Sequence, residues 1–285
     1  VIWARGIELK TPEQIKQMRR AGLVVARALD VVTREVTPGI STAELDAIAA
    51  EVIASAGAEP SFLNYGEHNG TGGFPGVVCL SVNEEIVHGI PGSRVIRAGD
   101  LVSVDCGAIV NGWHGDAART VLCPGEADSQ VVAERAALSV ATRDSMWQGI
   151  AAARLGGRVT DIGAAVEDHI DGLRLGYGIV EEYVGHGIGS AMHQNPDVPN
   201  YRVRGRGPRI TEGMCLCIEP MITIGPPENR TLEDDWTVVT TSGRDAAHWE
   251  HAITVTRHGL WVLTAEDGGE RMLSELGVPF GPLAD

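Results

Sequence analysis

The spacing of apolar positions changes three times along the chain. Helical spacing over about 12–36 and 42–57 gives way to short apolar runs between 77 and 123. It returns over about 129–154 and 160–176, then yields to runs at 179–185, 213–224, 236–241, 249–256 and 260–264. This order predicts two helices, strands, two helices and strands again: an α+β chain of two similar halves in one domain. Two capping boxes mark helix starts. Thr11 caps ahead of Pro12 and Gln14, and Ser41 pairs with Glu44. Residues 1–10 are expected to form an arm, 11–265 a single body, and the Gly- and Pro-punctuated 266–285 a mobile tail.

One pair of strands can be placed in register. LVSVDCGAIV and WHGDAARTVL flank Asn111-Gly112, a turn pair that tolerates positive φ and signals a two-residue hairpin. Val110 then faces Trp113, and Gly107 faces Asp116. Asp105 shares that face two residues away, so the two aspartates are diagonal neighbours with Cα atoms about 7–8 Å apart. Like charges on one face repel, and the placement suits carboxylates that reach a common metal pair. From the hairpin alone, two unrelated surface aspartates remain an alternative, and His114 falls on the same face.

The chain has 285 residues, 44% of them hydrophobic, enough for a sizeable core. A net charge of −15 argues against stable nucleic-acid binding. No run of about 18 apolar residues predicts a membrane span. No charged-then-apolar leader is visible, and the five cysteines are odd in number and scattered, so reduced thiols in a cytoplasmic protein are expected. The one basic cluster, Arg202, Arg204, Arg206 and Arg209, reads as a solvated loop or a contact for an acidic partner. The Gly-rich stretch 64–76 lacks the order of a phosphate loop and reads as a loop shaping a pocket.

Three further segments, VGHGIG, CIEPMI and HWEHAI, join SVDCGA and WHGDAA of the hairpin. With SVNEEIVHGIP, GHGIGSAMHQNP, GMCLCIEPMITIG and DDWTV, in this order from about Lys10 to Thr264, the chain resembles the type I methionine aminopeptidases of bacteria, actinobacterial ones in particular. The resemblance implies the pita-bread (creatinase/aminopeptidase) fold, two pseudo-symmetric halves around a central antiparallel sheet with a dimetal centre. It also implies metal ligands at Asp105, Asp116, His186, Glu219 and Glu250, with Asp116 and Glu250 bridging. Type II relatives carry a large insertion between the two glutamates, which here are only 31 positions apart (250 − 219). Prolidases carry a whole domain before the catalytic half. Gly107 and Cys217 stand where family members often have Thr.

The implied activity is removal of the initiator methionine from nascent chains when the second residue is small, by water activated at two divalent ions. Carboxylates with one imidazole suit Mn²⁺, Fe²⁺ or Co²⁺. The resemblance assigns Glu219 as general base and His88 and His193 as substrate-contacting histidines. An apolar methionine pocket is expected from Phe74, Cys79, Met192, Trp236 and Tyr65, with Cys79 open to bulky thiol reagents. Expected partners are nascent polypeptide N-termini, with scope for a transient ribosome contact, and the chain is expected to be a monomer. Proline-specific cleavage and a non-catalytic binding role are the alternatives.

Overall fold

The structure, a computed structural model, describes residues 6–66 and 72–284. The first five residues of the expected arm and residues 67–71 of the Gly-rich loop therefore lie outside the described residues. Helix α1 (Pro12–Glu35) starts where the capping box places it: Thr11 Oγ1 accepts from Gln14 N–H at 3.3 Å, and Gln14 Oε1 accepts from Thr11 N–H at 2.8 Å. Helix α2 (Thr42–Ser55) repeats the device with Ser41 and Glu44. Their apolar faces cover a hairpin of Leu101–Val110 and Trp113–Leu122, flanked by Val78–Val82. The hairpin register is the expected one, with Val110 opposite Trp113 and Gly107 opposite Asp116. At Gly115 a Cβ would stand 2.6 Å from the Gly22 nitrogen, so α1 lies directly on the strand beside Asp116.

The second half repeats the scheme. Helices α3 (Ser129–Ala152) and α4 (Val159–Leu173) pack on a five-stranded sheet, ordered Gly259–Val262, His251–Thr256, Cys215–Ile218, Gly185–Gly187 and Gln194–Val198. The run expected as one strand over 213–224 is two, Cys215–Ile218 and Met221–Ile224, which join different sheets. The break falls at Glu219-Pro220, where proline has no N–H for a ladder. The halves meet at a backbone pair: Glu250 N–H donates to Ala118 O at 3.0 Å, and Ala118 N–H donates to Glu250 O at 3.3 Å. This seam brings the aspartate hairpin against the segment carrying Glu250.

The tail differs from expectation. Helix α5 (Glu270–Glu275) buries Leu273, and Val278 is buried beyond it, both against the second-half core. Gly and Pro make the segment look loose in sequence, but two apolar anchors hold it. No helix among the described residues is long and apolar enough to cross a membrane.

Candidate metal centre and active site

Each of the five proposed ligands comes from a different segment, and all five line one cavity of about 170 Å³. Asp105 and Asp116 arrive from the hairpin as diagonal neighbours. His186 sits mid-strand in Gly185–Gly187, where its Nδ1 donates to Gly187 O at 2.9 Å and leaves Nε2 facing the cavity. Glu219 follows the end of its strand, and Asn200 Nδ2 holds its carbonyl at 3.1 Å. Glu250 stands at the seam between the halves. His186 Nε2 lies 3.3 Å from Glu219 Oε1.

The donor set fits a cation. Asp105 Oδ1, Asp116 Oδ1, Glu219 Oε1 and Glu250 Oε1 are buried with no hydrogen-bond partner. Buried carboxylates are costly unless paired or metal-bound. Asp116, His186, Cys217 and Glu250 offer ligand atoms within 4.8 Å of one another, and so do Glu219, His248 and Glu250. Glu250 belongs to both groups, the arrangement expected of a bridging carboxylate. Loss of hydration pushes the Asp105 carboxyl up to about 6. Burial, then repulsion from the neighbouring carboxylates, pushes Asp116, Glu219 and Glu250 well above the usual range. Burial lowers His186 to about 3, so its imidazole is neutral and free to ligate.

Around this centre the cavity becomes apolar. Phe74, Cys79 and Met192 are buried in one cluster with Phe62, and Trp236 packs edge-on to Phe74 with ring centroids 5.4 Å apart. Asp234 aims Trp236 by accepting from its N–H at 2.9 Å and from Thr237 N–H at 2.8 Å. The ends of the Gly-rich loop are drawn together, with Asn64 N–H donating to Phe74 O at 2.8 Å and Phe74 N–H to Tyr65 O at 2.9 Å. That puts Tyr65 on the cavity rim, its hydroxyl 2.6 Å from His193 Nδ1.

His193 stands at the mouth, its ring centroid 4.2 Å from that of His186. The loop it sits on is tied to the arm, because the buried Lys10 ammonium donates to Gln194 Oε1 at 2.9 Å. His88 adopts φ 59°, a left-handed conformation rare for a non-glycine residue, and its ring meets Tyr183 and Trp236 edge-on. Burial lowers His88 to about 4 and also lowers His193, so both imidazoles are neutral at pH 7.

Other sequence-marked residues fall elsewhere. His114 pairs with Ser61 Oγ at 3.0 Å, away from the cavity. Gly107 leaves room for Ser61 and Phe62, whose side chains would stand 2.7 and 2.8 Å from a Cβ there. Cys217 is buried with its sulfur within 4.8 Å of side-chain ligand atoms of Asp116, His186 and Glu250. In the basic cluster, Arg202 pairs with Glu167 and Asp168, and Arg209 donates to Gly156 O. Tyr183 and His248 are among the cavity residues that were not marked from sequence. Tyr183 lies in an irregular segment without a local signal. His248 precedes Glu250 by two positions, a same-face spacing that could have drawn notice.

Two half-domains closing over four carboxylates and an imidazole, beside an apolar slot, define a metal-dependent hydrolase with the pita-bread fold. Residues 16–257 match metallopeptidase family M24. The chain belongs to that family, among its bacterial methionine aminopeptidases. It is 44% identical over 265 residues to methionine aminopeptidase 1 of Mycobacterium tuberculosis, covering 91% of this chain and 96% of the relative. The crystal structure of methionine aminopeptidase from Thermotoga maritima superposes with a TM-score of 0.84 at 36% identity, covering 92% of this chain and all of that one. Prolidase from Pyrococcus furiosus shares the fold at a TM-score of 0.68 and 20% identity; the match covers 90% of this chain and 65% of that one.

Proposed function

We propose that this chain removes the N-terminal methionine from polypeptides whose second residue is small, using two divalent ions held by Asp105, Asp116, His186, Glu219 and Glu250. One observation carries the reading: partnerless buried carboxylates open into the same cavity as the apolar cluster of Phe74, Cys79, Met192 and Trp236. Asp116 and Glu250 would be shared by the two ions, Asp105 would hold one of them, and His186 and Glu219 would hold the other. The all-oxygen and imidazole set favours Mn²⁺, Fe²⁺ or Co²⁺.

When bound, the ions supply an activated water and neutralise the crowded carboxylates. The chain's own groups do the rest. Glu219, whose affinity for a proton is raised, takes a proton from the water and passes it to the departing amine. With Tyr65 donating to His193 Nδ1, His193 Nε2 carries the ring hydrogen and donates it to the scissile carbonyl as charge develops there. His88 contacts the backbone beside the scissile bond. The substrate's free amine docks on the Asp105 side, which restricts cleavage to the first residue. The methionine thioether enters the aromatic slot, where sulfur–ring contacts add about 0.3–1.5 kcal/mol.

The catalytic body is read as 11–265, preceded by the segment expected as an arm and followed by a tail anchored at Leu273 and Val278. A monomer in the cytoplasm, meeting nascent chains with at most a transient ribosome contact, completes the reading. The test is to strip the protein with chelator and incubate it with Met-Ala-Ser. Free methionine should appear only after Mn²⁺ or Co²⁺ is restored. Release of X from X-Pro peptides in its place would move the assignment to proline-specific cleavage.

A further inference from the structure

His248 is 2% exposed, and its Nε2 is buried without a hydrogen-bond partner. A buried imidazole nitrogen in that state is costly in a merely structural residue. Its main chain is clamped: His248 N–H donates to Thr120 Oγ1 at 3.0 Å, and Thr120 Oγ1 lies 2.6 Å from His248 O. The backbone is thereby held where the ring lines the cavity. Its Nε2 stands 3.7 Å from Glu219 Oε2, too far for a hydrogen bond. That separation does suit two ligands of one ion, because donor atoms about 2.1 Å from a cation stand about 3–4 Å apart.

The two groupings of ligand atoms divide the imidazoles. His186 stands with Asp116, Cys217 and Glu250, whereas His248 stands with Glu219 and Glu250. The two oxygens of Glu219 point at different rings, Oε1 at His186 and Oε2 at His248. Resting on the dimetal reading above, we propose that His248 Nε2 is a sixth ligand, adding a second imidazole to the pair of ions from the side that Glu219 Oε2 faces. Two imidazoles in place of one make the centre softer. The preference should move toward Co²⁺ and away from Mn²⁺, which favours oxygen donors.

The test counts imidazole ligands in the full chain reloaded with Co²⁺. A histidine bound to paramagnetic Co²⁺ gives a strongly shifted, solvent-exchangeable ring N–H proton resonance, and His88 and His193 as non-ligands give none. With two equivalents bound, the native protein should show two such resonances. His248→Gln and His248→Asn should each show one, and should bind the second ion at least about tenfold more weakly, since losing even an outer partner of a ligand costs about 10–100-fold. One resonance in native protein carrying two ions would overturn the proposal and leave the five-ligand centre standing. Two resonances persisting in both variants would also overturn it. Failure of the native protein to bind ions at all would overturn the dimetal reading itself.

Discussion

Glu250→Gln separates the cost of the site from its use. In metal-free protein, Glu250 faces Asp116 in one group of ligand atoms and Glu219 in the other, each within 4.8 Å. Two unit charges at that distance repel by about 3 kcal/mol at an effective dielectric of about 20. Burial first, and this repulsion second, raise the group's proton affinity, and protonation relieves part of both. Replacing the carboxylate by an amide turns a repelling acceptor into a donor for its neighbours. The gain should be about 1–3 kcal/mol, or about 2–6 °C in Tm for a chain of this size. The sign with pH is fixed. A carboxyl whose folded pKa is raised contributes stability at low pH and loses it as pH rises, so the advantage of the variant should grow from pH 5 to pH 8. Metal reverses the order. An ion at 100 times its Kd adds about 2.7 kcal/mol to the native protein, and the variant, lacking a bridging ligand, should gain little. Thermal unfolding at pH 8 with chelator and then with Co²⁺ should therefore give crossing Tm values. A variant less stable than the native protein in chelator, or equally stabilised by Co²⁺, would refute the reasoning.

Three further outcomes follow from the same geometry. Met-Ala, Met-Gly and Met-Ser peptides should be cleaved well and Met-Lys and Met-Leu poorly, read as kcat/KM; equal rates would contradict the small-second-residue assignment. His193→Ala and His88→Ala should each lower kcat by about 10²–10³-fold with both ions retained, whereas Glu219→Gln should cost about 10⁴-fold and disturb metal content; an ion lost from either histidine variant would make that residue a ligand. Cys79 is buried, and dehydration with nearby Asp105 pushes its thiol well above the usual value, so the easy alkylation expected from sequence gives way to slow inhibition by bulky reagents; inhibition at an unchanged rate in Cys79→Ser would assign it to another thiol.

The parts legible in the sequence were those with short-range causes. The capping boxes at Thr11 and Ser41 and the register around Asn111-Gly112 follow from local hydrogen bonds and turn geometry, and the structure repeats them. The diagonal placement of Asp105 and Asp116 came with that register. The packed tail could not be read, because Leu273 and Val278 are anchored by residues far away in the chain. The break at Glu219-Pro220 was hidden in a continuous apolar run, although Pro220 was a warning. Tyr183 reaches the cavity from an irregular segment, and only the fold brings it there. His248 escaped because the carboxylates beside it drew the reading, and its orphaned nitrogen exists only in three dimensions.

The central claim is that five side chains from five segments hold a pair of ions. Anomalous scattering from crystals of the protein loaded with Mn²⁺ or Co²⁺, collected at the metal edge, tests it most directly. The account predicts two peaks in the cavity, both in contact with Asp116 and Glu250, one also with Asp105 and the other also with His186 and Glu219. A single peak at full loading, or a pair lying away from Asp116 and Glu250, would contradict it.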